Sequence, residues 1–393
     1  MSSDAIVIVA AKRTPIGAFQ GALSGASAPQ LGATAIAAAV SDCGIPAADV
    51  DRVIMGCVLP AGLGQAPARQ AALAAGIPEG TPCVTVNKMC GSGMETIILA
   101  HDMIRAGSAG IVVAGGLESM SNAPYLLPKA RSGMRMGHQQ ALDHMVYDGL
   151  QDPYSGEMMG HFAQVTADKY GFTREEMDAY AIESVTRAQR AVADGRFAGE
   201  IAPVTIKSRR GDVTVDADET PGTVSVDKIP TLRPAFAKDG TVTAATSSSI
   251  SDGAAAVVMM TAAEAEKRGV TPIARVVAHS AFAHEPAWFT TAPVYALKKL
   301  LDTQGWSVDD VDLFEINEAF AVVTMAALKD VGISHDKVNV NGGACALGHP
   351  IGATGCRISV TLLHELAARG LNRGIATQCI GGGEATAVAY EIV

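Results

Sequence analysis

The sequence predicts an α/β fold of two similar halves, with a lobe inserted into the first. Three observations carry this. Between residues 5 and 120, short apolar runs alternate with helical runs. From 121 to 245 the alternation gives way to polar segments rich in Met, Pro and Gly, and it resumes near 252. The segment 44–51, GIPAADVD, is echoed by 305–312, GWSVDDVD; each follows an apolar helix and leads into an apolar strand. Repetition of whole β-α units is the mark of internal duplication, with convergence of generic β-α patterns as the competing account. The halves are 1–120, completed by about 246–270, and 271–393; the lobe is 121–245.

Taken in order, 5–10 is an apolar strand and 29–43 an alanine-rich helix closed by Gly44. Residues 53–58 form a strand and 67–75 a helix, with Pro67 suited to its first position. The run 83–86 is a short strand, and a helix from about 96 to 104 follows the turn Asn87-Lys88-Met89-Cys90-Gly91-Ser92-Gly93. Residues 111–114 are a buried strand. This alternation implies a largely parallel sheet covered by helices on both faces. In the lobe, 158–170 and 174–194 form a helical hairpin, and 204–233 is irregular and extended. Beyond it come a strand at 252–260, a helix at 294–301, a strand at 313–316, a helix at 356–368 and a strand at 375–379.

Composition narrows the function. Charged residues are 18% of the chain, below the roughly 25% of an average soluble protein, so part of the surface is expected to be buried between subunits. A net charge of −10 argues against nucleic acid as a partner. Seven scattered cysteines without a CxxC pair fit a reducing, cytoplasmic compartment. No apolar run reaches the roughly 18 residues of a membrane span. Asp4 and the absence of an Arg-rich leader argue against a signal or transit peptide, and the final Tyr390-Glu391-Ile392-Val393 is no peroxisomal address.

Four stretches carry chemistry. Cys90 sits at a strand-to-helix turn, where free N–H groups and the helix dipole favour a thiolate; a buried, inert cysteine is the alternative. Asn317, in Glu315-Ile316-Asn317-Glu318-Ala319-Phe320, is aimed from the end of a strand, or caps the helix that follows. His349 lies in a loop with five glycines between Asn341 and Gly355, a density that permits close backbone approach to a ligand. Cys379 precedes Gly381-Gly382-Gly383, whose N–H groups suit an oxyanion, or is a buried cysteine beside a tight turn.

Together these stretches, with Ala11-Lys12-Arg13-Thr14-Pro15-Ile16-Gly17 and Gly115-Gly116-Leu117-Glu118-Ser119-Met120, resemble the thiolase family over essentially the whole chain. The resemblance implies a layered α-β-α-β-α fold with an inserted loop domain that binds CoA. It implies an acyltransferase that condenses two acetyl-CoA reversibly to acetoacetyl-CoA plus CoA, or thiolyses 3-ketoacyl-CoA, with no permanently bound cofactor and no metal. Cys90 matches the acyl-accepting nucleophile, His349 its base and Cys379 the thiol that moves the α-proton. Asn317 matches the residue holding a water that, with His349, forms one oxyanion hole, and the N–H groups of Cys90 and Gly381 match the other. Ser248, Phe236, Ala244, Phe320, Met159 and Phe289 match substrate- or CoA-binding positions. Met134 to His138 lies where the family often carries a tetramerisation loop, so a homotetramer is expected, with a homodimer as the alternative.

The chain departs from the family pattern around CoA. Met158-Met159-Gly160 stands where many members read His-Met-Gly, and Phe162-Ala163-Gln164 where they read Thr-Ala-Glu. A family arginine is missing from Asp218-Glu219-Thr220-Pro221-Gly222, Thr246 replaces an Asn, and Phe289-Thr290 replaces Met-Gly. A Phe289 that points inward favours small acyl groups. Three rival readings are disfavoured by the sequence itself. A ketoacyl synthase-like condensing enzyme would have a His where Cys379 stands. A non-catalytic lipid-carrier protein would have lost Cys90, His349 or Cys379. A zinc site made of those three lacks the close ligand pairs such sites use.

Overall fold

A computed structural model describes residues 4–209 and 211–393. Nine strands and eight helices frame the site. The first half contributes β1 (Ile6–Arg13), α1 (Ala28–Asp42), β2 (Arg52–Gly56), α2 (Pro67–Ala74), β3 (Cys83–Val86), α3 (Ser92–Arg105) and β4 (Val112–Ser119). The intervening segment forms α4 (Met159–Tyr170) and α5 (Arg174–Ala193), followed by two three-residue strands at Val204–Ile206 and Val213–Val215. Then come β5 (Ser251–Thr261), β6 (Ala274–Ala283), α6 (Ala292–Gln304), β7 (Leu313–Ile316), α7 (Ala321–Ala327), α8 (Thr354–Arg369), β8 (Arg373–Ile380) and β9 (Glu384–Ile392).

The element ends follow local chemistry. A capping box of Ser27 and Gln30 starts α1, with Pro29 in its first turn, and Gly44 leaves it with φ +68°. Thr173 caps α5 by accepting from the Glu176 N–H, and Glu175 and Glu176 complement the dipole there. Gly305 and Gly370 end α6 and α8 in the left-handed region.

The strands lie in the order β7-β8-β9-β6-β1-β5-β4-β2-β3 within one ten-stranded sheet, the two residues Gly17–Ala18 pairing beside β5. The sheet is mixed, not largely parallel. Only β2–β3, β2–β4 and β7–β8 run parallel; β1, β5, β6 and β9 pair antiparallel. The alternation of strand and helix holds for β1 to β4 and for β6 to β8. β9 follows β8 across a three-residue glycine turn, and β5 comes back beside β4 after the intervening segment; both pair antiparallel. The strand expected at 111–114 runs on through Gly115 and Gly116 to Ser119, because those glycines face backbone: a Cβ on Gly116 would lie 2.1 Å from the Gly352 carbonyl oxygen.

The layers follow from which face each strand residue presents. Val7 and Val9 pack with α1, whereas Ile6 and Ile8 pack with α3 and α8. A third core lies between α6 and strands β7 to β9. Helices α3 and α8 are therefore the filling of a five-layer stack, with sheet on both sides of them.

The two halves are related by a pseudo-twofold. Asp51 accepts from the N–H groups of Gly110 and Ile111, and Asp312 from those of Asn372 and Arg373. Both β1 and β6 carry a bulge, at Val9 and at Val277. The axis passes through the Val7–Arg275 pair, where β1 meets β6. It passes also between α3 and α8. A Cβ on Gly93 would lie 2.9 Å from the Cys356 nitrogen, and one on Gly355 would lie 2.4 Å from the Met94 nitrogen. Those reciprocal contacts bring the two helix N-termini together. The same relation sets Cys90 against Gly352 and Asn87 against His349, so the two reactive side chains share equivalent turns but not equivalent positions.

The inserted segment is bolted down by charge. The fully buried Arg13 of β1 makes a two-pronged contact with Asp218, at 2.7 and 2.9 Å, and a 2.5 Å bond to Glu200. Glu219 accepts from the Ala18 and Ala22 N–H groups.

Candidate active site

The turn before α3 is built to hold Cys90 rigidly. Asn87 Oδ1 accepts from the Met89 N–H at 2.9 Å; Ser92 Oγ accepts from the Lys88 N–H at 2.9 Å and donates to the Met89 carbonyl at 2.6 Å. These bonds hold Met89 at φ +47°, a left-handed conformation that costs a non-glycine residue roughly 1–2 kcal/mol. Strain thus sits one residue before the thiol. Lys88 Nζ meets Glu384 Oε2 at 2.6 Å and ties this turn to the glycine hairpin between β8 and β9.

Cys90 is half-buried at the head of α3. Burial pushes its thiol up to about 11; the N–H groups of Gly381 and of Cys90 itself oppose the shift, and Glu118 adds to it. At rest the sulfur is therefore protonated and needs a base. It also lies against two backbone donors, an arrangement suited to negative charge on or beside the sulfur.

His349 meets the requirements of that base. Burial, with Arg357 as the second cause, lowers its imidazole to about 3, so the ring is neutral. Its Nδ1 lies 2.6 Å from Thr354 Oγ1, and that hydroxyl donates to the Pro350 carbonyl at 3.0 Å. With the hydroxyl proton so committed, Nδ1 must be the donor and Nε2 carries the lone pair. Nε2 is buried with no hydrogen-bond partner among the described residues. We expect Thr354→Val to lower kcat about 10- to 100-fold with KM little changed, because an unpaired buried Nδ1–H costs about 1–3 kcal/mol. Thr354→Ser should restore the rate, and steady-state kinetics on the two variants checks this.

Of the residues singled out from sequence, Cys90, His349, Gly381, Ser248, Phe236, Phe320, Met159 and Phe289 line one cavity of about 230 Å³. The remaining three lie around it. Cys379 is fully buried against Phe162, Phe289 and Phe320. Burial raises its thiol well above the ordinary value, and Cys90 raises it further, which places the two sulfurs within electrostatic reach. Asn317 is buried, and neither of its amide atoms has a partner among the described residues, so it is not a helix cap; α7 starts after Phe320 instead. Ala244 lines a neighbouring cavity with Ser225, Lys228 and Leu232, and Ser247 borders both cavities.

The departures around the cavity have structural partners. Phe289 does point inward, edge-on to Phe162 and Phe320. Thr290 meets Thr166 at 2.6 Å. Gln164 accepts from the Thr241 and Val242 N–H groups, and Thr246 Oγ1 from that of Thr243. Glu318, fully buried, accepts from Tyr180, Ser184, Asn339 and the Cys345 N–H, and so locks the Asn317 loop to α5.

Sequence reasoning left several functional positions unassigned. Thr354 lies inside the glycine-rich loop but has no signal of its own beyond proximity to His349. Glu118 accepts from the N–H groups of Val58, Leu59 and Gly352 at 2.8 to 3.1 Å. Burial lifts it to about 7, against those hydrogen bonds. It fixes the backbone between His349 and α8.

Two family models match the chain: the thiolase N-terminal domain over residues 6–263 and the thiolase C-terminal domain over 270–392. The chain belongs to the thiolase family. Among curated thiolases it is 49% identical to an acetyl-CoA acetyltransferase of Pseudomonas aeruginosa, over 98% of both chains. It is 47% identical to one of Rhizobium meliloti over 100% of both. Among solved structures it superimposes on the Bacillus anthracis acetyl-CoA acetyltransferase with a TM-score of 0.97, at 42% identity over 99% of each chain. A thiolase from Ascaris suum in complex with coenzyme A matches at 0.93, with 42% identity over 99% of this chain and 100% of the other. The thiolase fold read from the sequence is thereby established, including the five layers.

Proposed function

We propose that this thiolase interconverts two acetyl-CoA with acetoacetyl-CoA plus CoA through an acyl-Cys90 intermediate. The observation that carries the reading is the tautomer of His349, which leaves a neutral, unpartnered Nε2 on the wall of the cavity that Cys90 also lines. His349 Nε2 takes the Cys90 proton as sulfur attacks the thioester carbonyl, and the N–H groups of Cys90 and Gly381 receive the oxyanion. The tetrahedral adduct collapses, and the CoA thiolate leaves with the proton of the Cys379 thiol, which becomes a thiolate, while His349 keeps the proton it took from Cys90. A second acetyl-CoA then loses an α-proton to the thiolate of Cys379, and its enolate oxygen is held from the side of Asn317 and His349. The enolate carbon attacks the acyl carbonyl, and Cys90 departs and regains its proton from His349, while the α-proton stays on Cys379. Lys228 and Ser225, in the neighbouring cavity that Ser247 also borders, are the polar side chains placed to meet the nucleotide end of CoA in place of the missing arginine.

The inward Phe289 restricts the acyl group to a short one. Thiolysis of acetoacetyl-CoA is expected to exceed that of 3-ketooctanoyl-CoA by about tenfold or more in kcat/KM. Equal or better use of the longer substrate would sink the short-chain reading, and turnover of neither would sink the activity. We place the enzyme in the cytoplasm, as a homotetramer. The exposed segment 129–138, in which Met136 is 94% exposed, supports the latter; light scattering tests it.

A further inference from the structure

Outside the active site, one cluster of ligand-type side chains meets at a point among the described residues: His101 and Asp102 on α3 and His279 on β6. His101 Nδ1 is 2.9 Å and His279 Nε2 3.1 Å from the same oxygen, Asp102 Oδ1. The two rings stand edge to face, with centroids 5.3 Å apart. Consecutive helical residues normally diverge, yet here both side chains turn toward a strand of the other half. In a tetrahedral site with bonds of about 2.0–2.1 Å, neighbouring ligand atoms lie about 3.3 Å apart. The two His–Asp separations are within a few tenths of an ångström of that. The side chain of His101 is 8% exposed and that of His279 27%, so the imidazoles are held by the protein; Asp102, at 55%, leaves the outer side open to water.

The pseudo-twofold supplies an internal control. It sets Asp102 against His364, His101 against Leu363, and His279 against Ala11. At that mate position the same junction of central helix and sheet is made by a single hydrogen bond, His364 Nε2 to the Ala11 carbonyl at 2.9 Å. Joining the layers therefore does not require two imidazoles and a carboxylate. The extra groups are a set of donors that suits one borderline divalent ion. Arg105 and Arg275 stand on the edge of the adjoining surface hollow; Arg275 is engaged by Glu391 at 2.7 Å, so Arg105 is the opposing charge.

We propose that His101, Asp102 and His279 form a binding site for a single transition-metal dication of the Zn²⁺ class, completed by water, which clamps α3 of the first half to β6 of the second. The ion is a clamp and not a reactant, since the cluster lines no part of the cavity that holds Cys90.

The test uses the full chain with Cys90 alkylated by iodoacetamide, so that the active-site thiol does not compete for metal. ZnCl₂ is titrated in; bound zinc and the thermal midpoint are read. Wild type is expected to bind one zinc per chain and to gain thermal stability, as any ligand selective for the folded state confers. Asp102→Asn and His279→Gln, which keep size and hydrogen bonding, should bind more than about tenfold more weakly and lose the shift. His364→Gln, at the mate position, should behave as wild type. Absence of zinc uptake by the wild type, or equal uptake by Asp102→Asn and His279→Gln, overturns the proposal.

Discussion

Cys90→Ala is expected to lower acetoacetyl-CoA thiolysis by about four to six orders of magnitude, the range seen when a nucleophile is removed from an enzyme that depends on it. The fold should be unaffected, since the side chain is small and half-buried. No neighbouring group can substitute. Cys379 is fully buried, and burial raises its thiol well above the ordinary range, so at rest it is protonated and a poor nucleophile toward the first thioester. His349 has a free Nε2, but a neutral imidazole is a poor substitute for a thiolate toward a thioester. Loss in kcat with CoA affinity retained is the expected pattern, because Met158, Met159, Phe236, Phe289 and Phe320 also line the cavity and are untouched by loss of the sulfur. Undiminished turnover would remove the acyl-Cys90 intermediate from the mechanism.

Gly355→Ala is expected to destabilise the protein by roughly 3 kcal/mol or more and to abolish activity with it. The new Cβ would lie 2.4 Å from both the Met94 nitrogen and Gln378 Nε2. One of these is backbone and cannot rotate away. Overpacking of a well-filled core typically costs about 1–3 kcal/mol when side chains can adjust; here a helix must shift. The shift would separate the two turns that deliver Cys90 and His349, so even a folded fraction should be slow. Chemical denaturation gives the stability, and the residual rate per folded molecule gives the second effect. By contrast, Gly370→Ala sits in open space at the end of α8 and should cost only the strain of its left-handed φ.

The elements themselves were legible because periodicity and punctuation agree. Residues 313–316 and 174–193 are bounded by Asp312 and Asn317, and by Thr173 and Gly195, and local rules place them within a residue or two. Strand direction was not legible. Parallel and antiparallel partners bury the same apolar runs, and nothing in 252–260 reveals that it returns beside β1 instead of continuing the β-α series. The candidate reactive residues stood out because Cys90, His349 and Cys379 each stand beside glycines, at a density that marks close approach of backbone or ligand. Thr354 and Glu118 were not, since their function is to hold another residue's proton or backbone, and a buried hydroxyl or carboxylate has no signature until its partners are in place. His101, Asp102 and His279 were invisible for a different reason: 177 residues separate Asp102 from His279, and only the β1–β6 junction brings them together.

The pairing of β1 with β5 has a consequence for how the chain is made. Thr14 bonds to Ala254, 240 residues further on. At a ribosomal rate of about 5–20 residues per second, β1 waits roughly 10–50 s for its central partner to emerge. During that interval β2, β3 and β4 can assemble only an incomplete sheet, with one face of α3 uncovered and no α8 to cover it. The nascent chain must therefore shelter an apolar surface for the time it takes to synthesise the intervening lobe. Truncations that end before 251 should accumulate as chaperone-bound or aggregated polypeptide rather than as a folded first half.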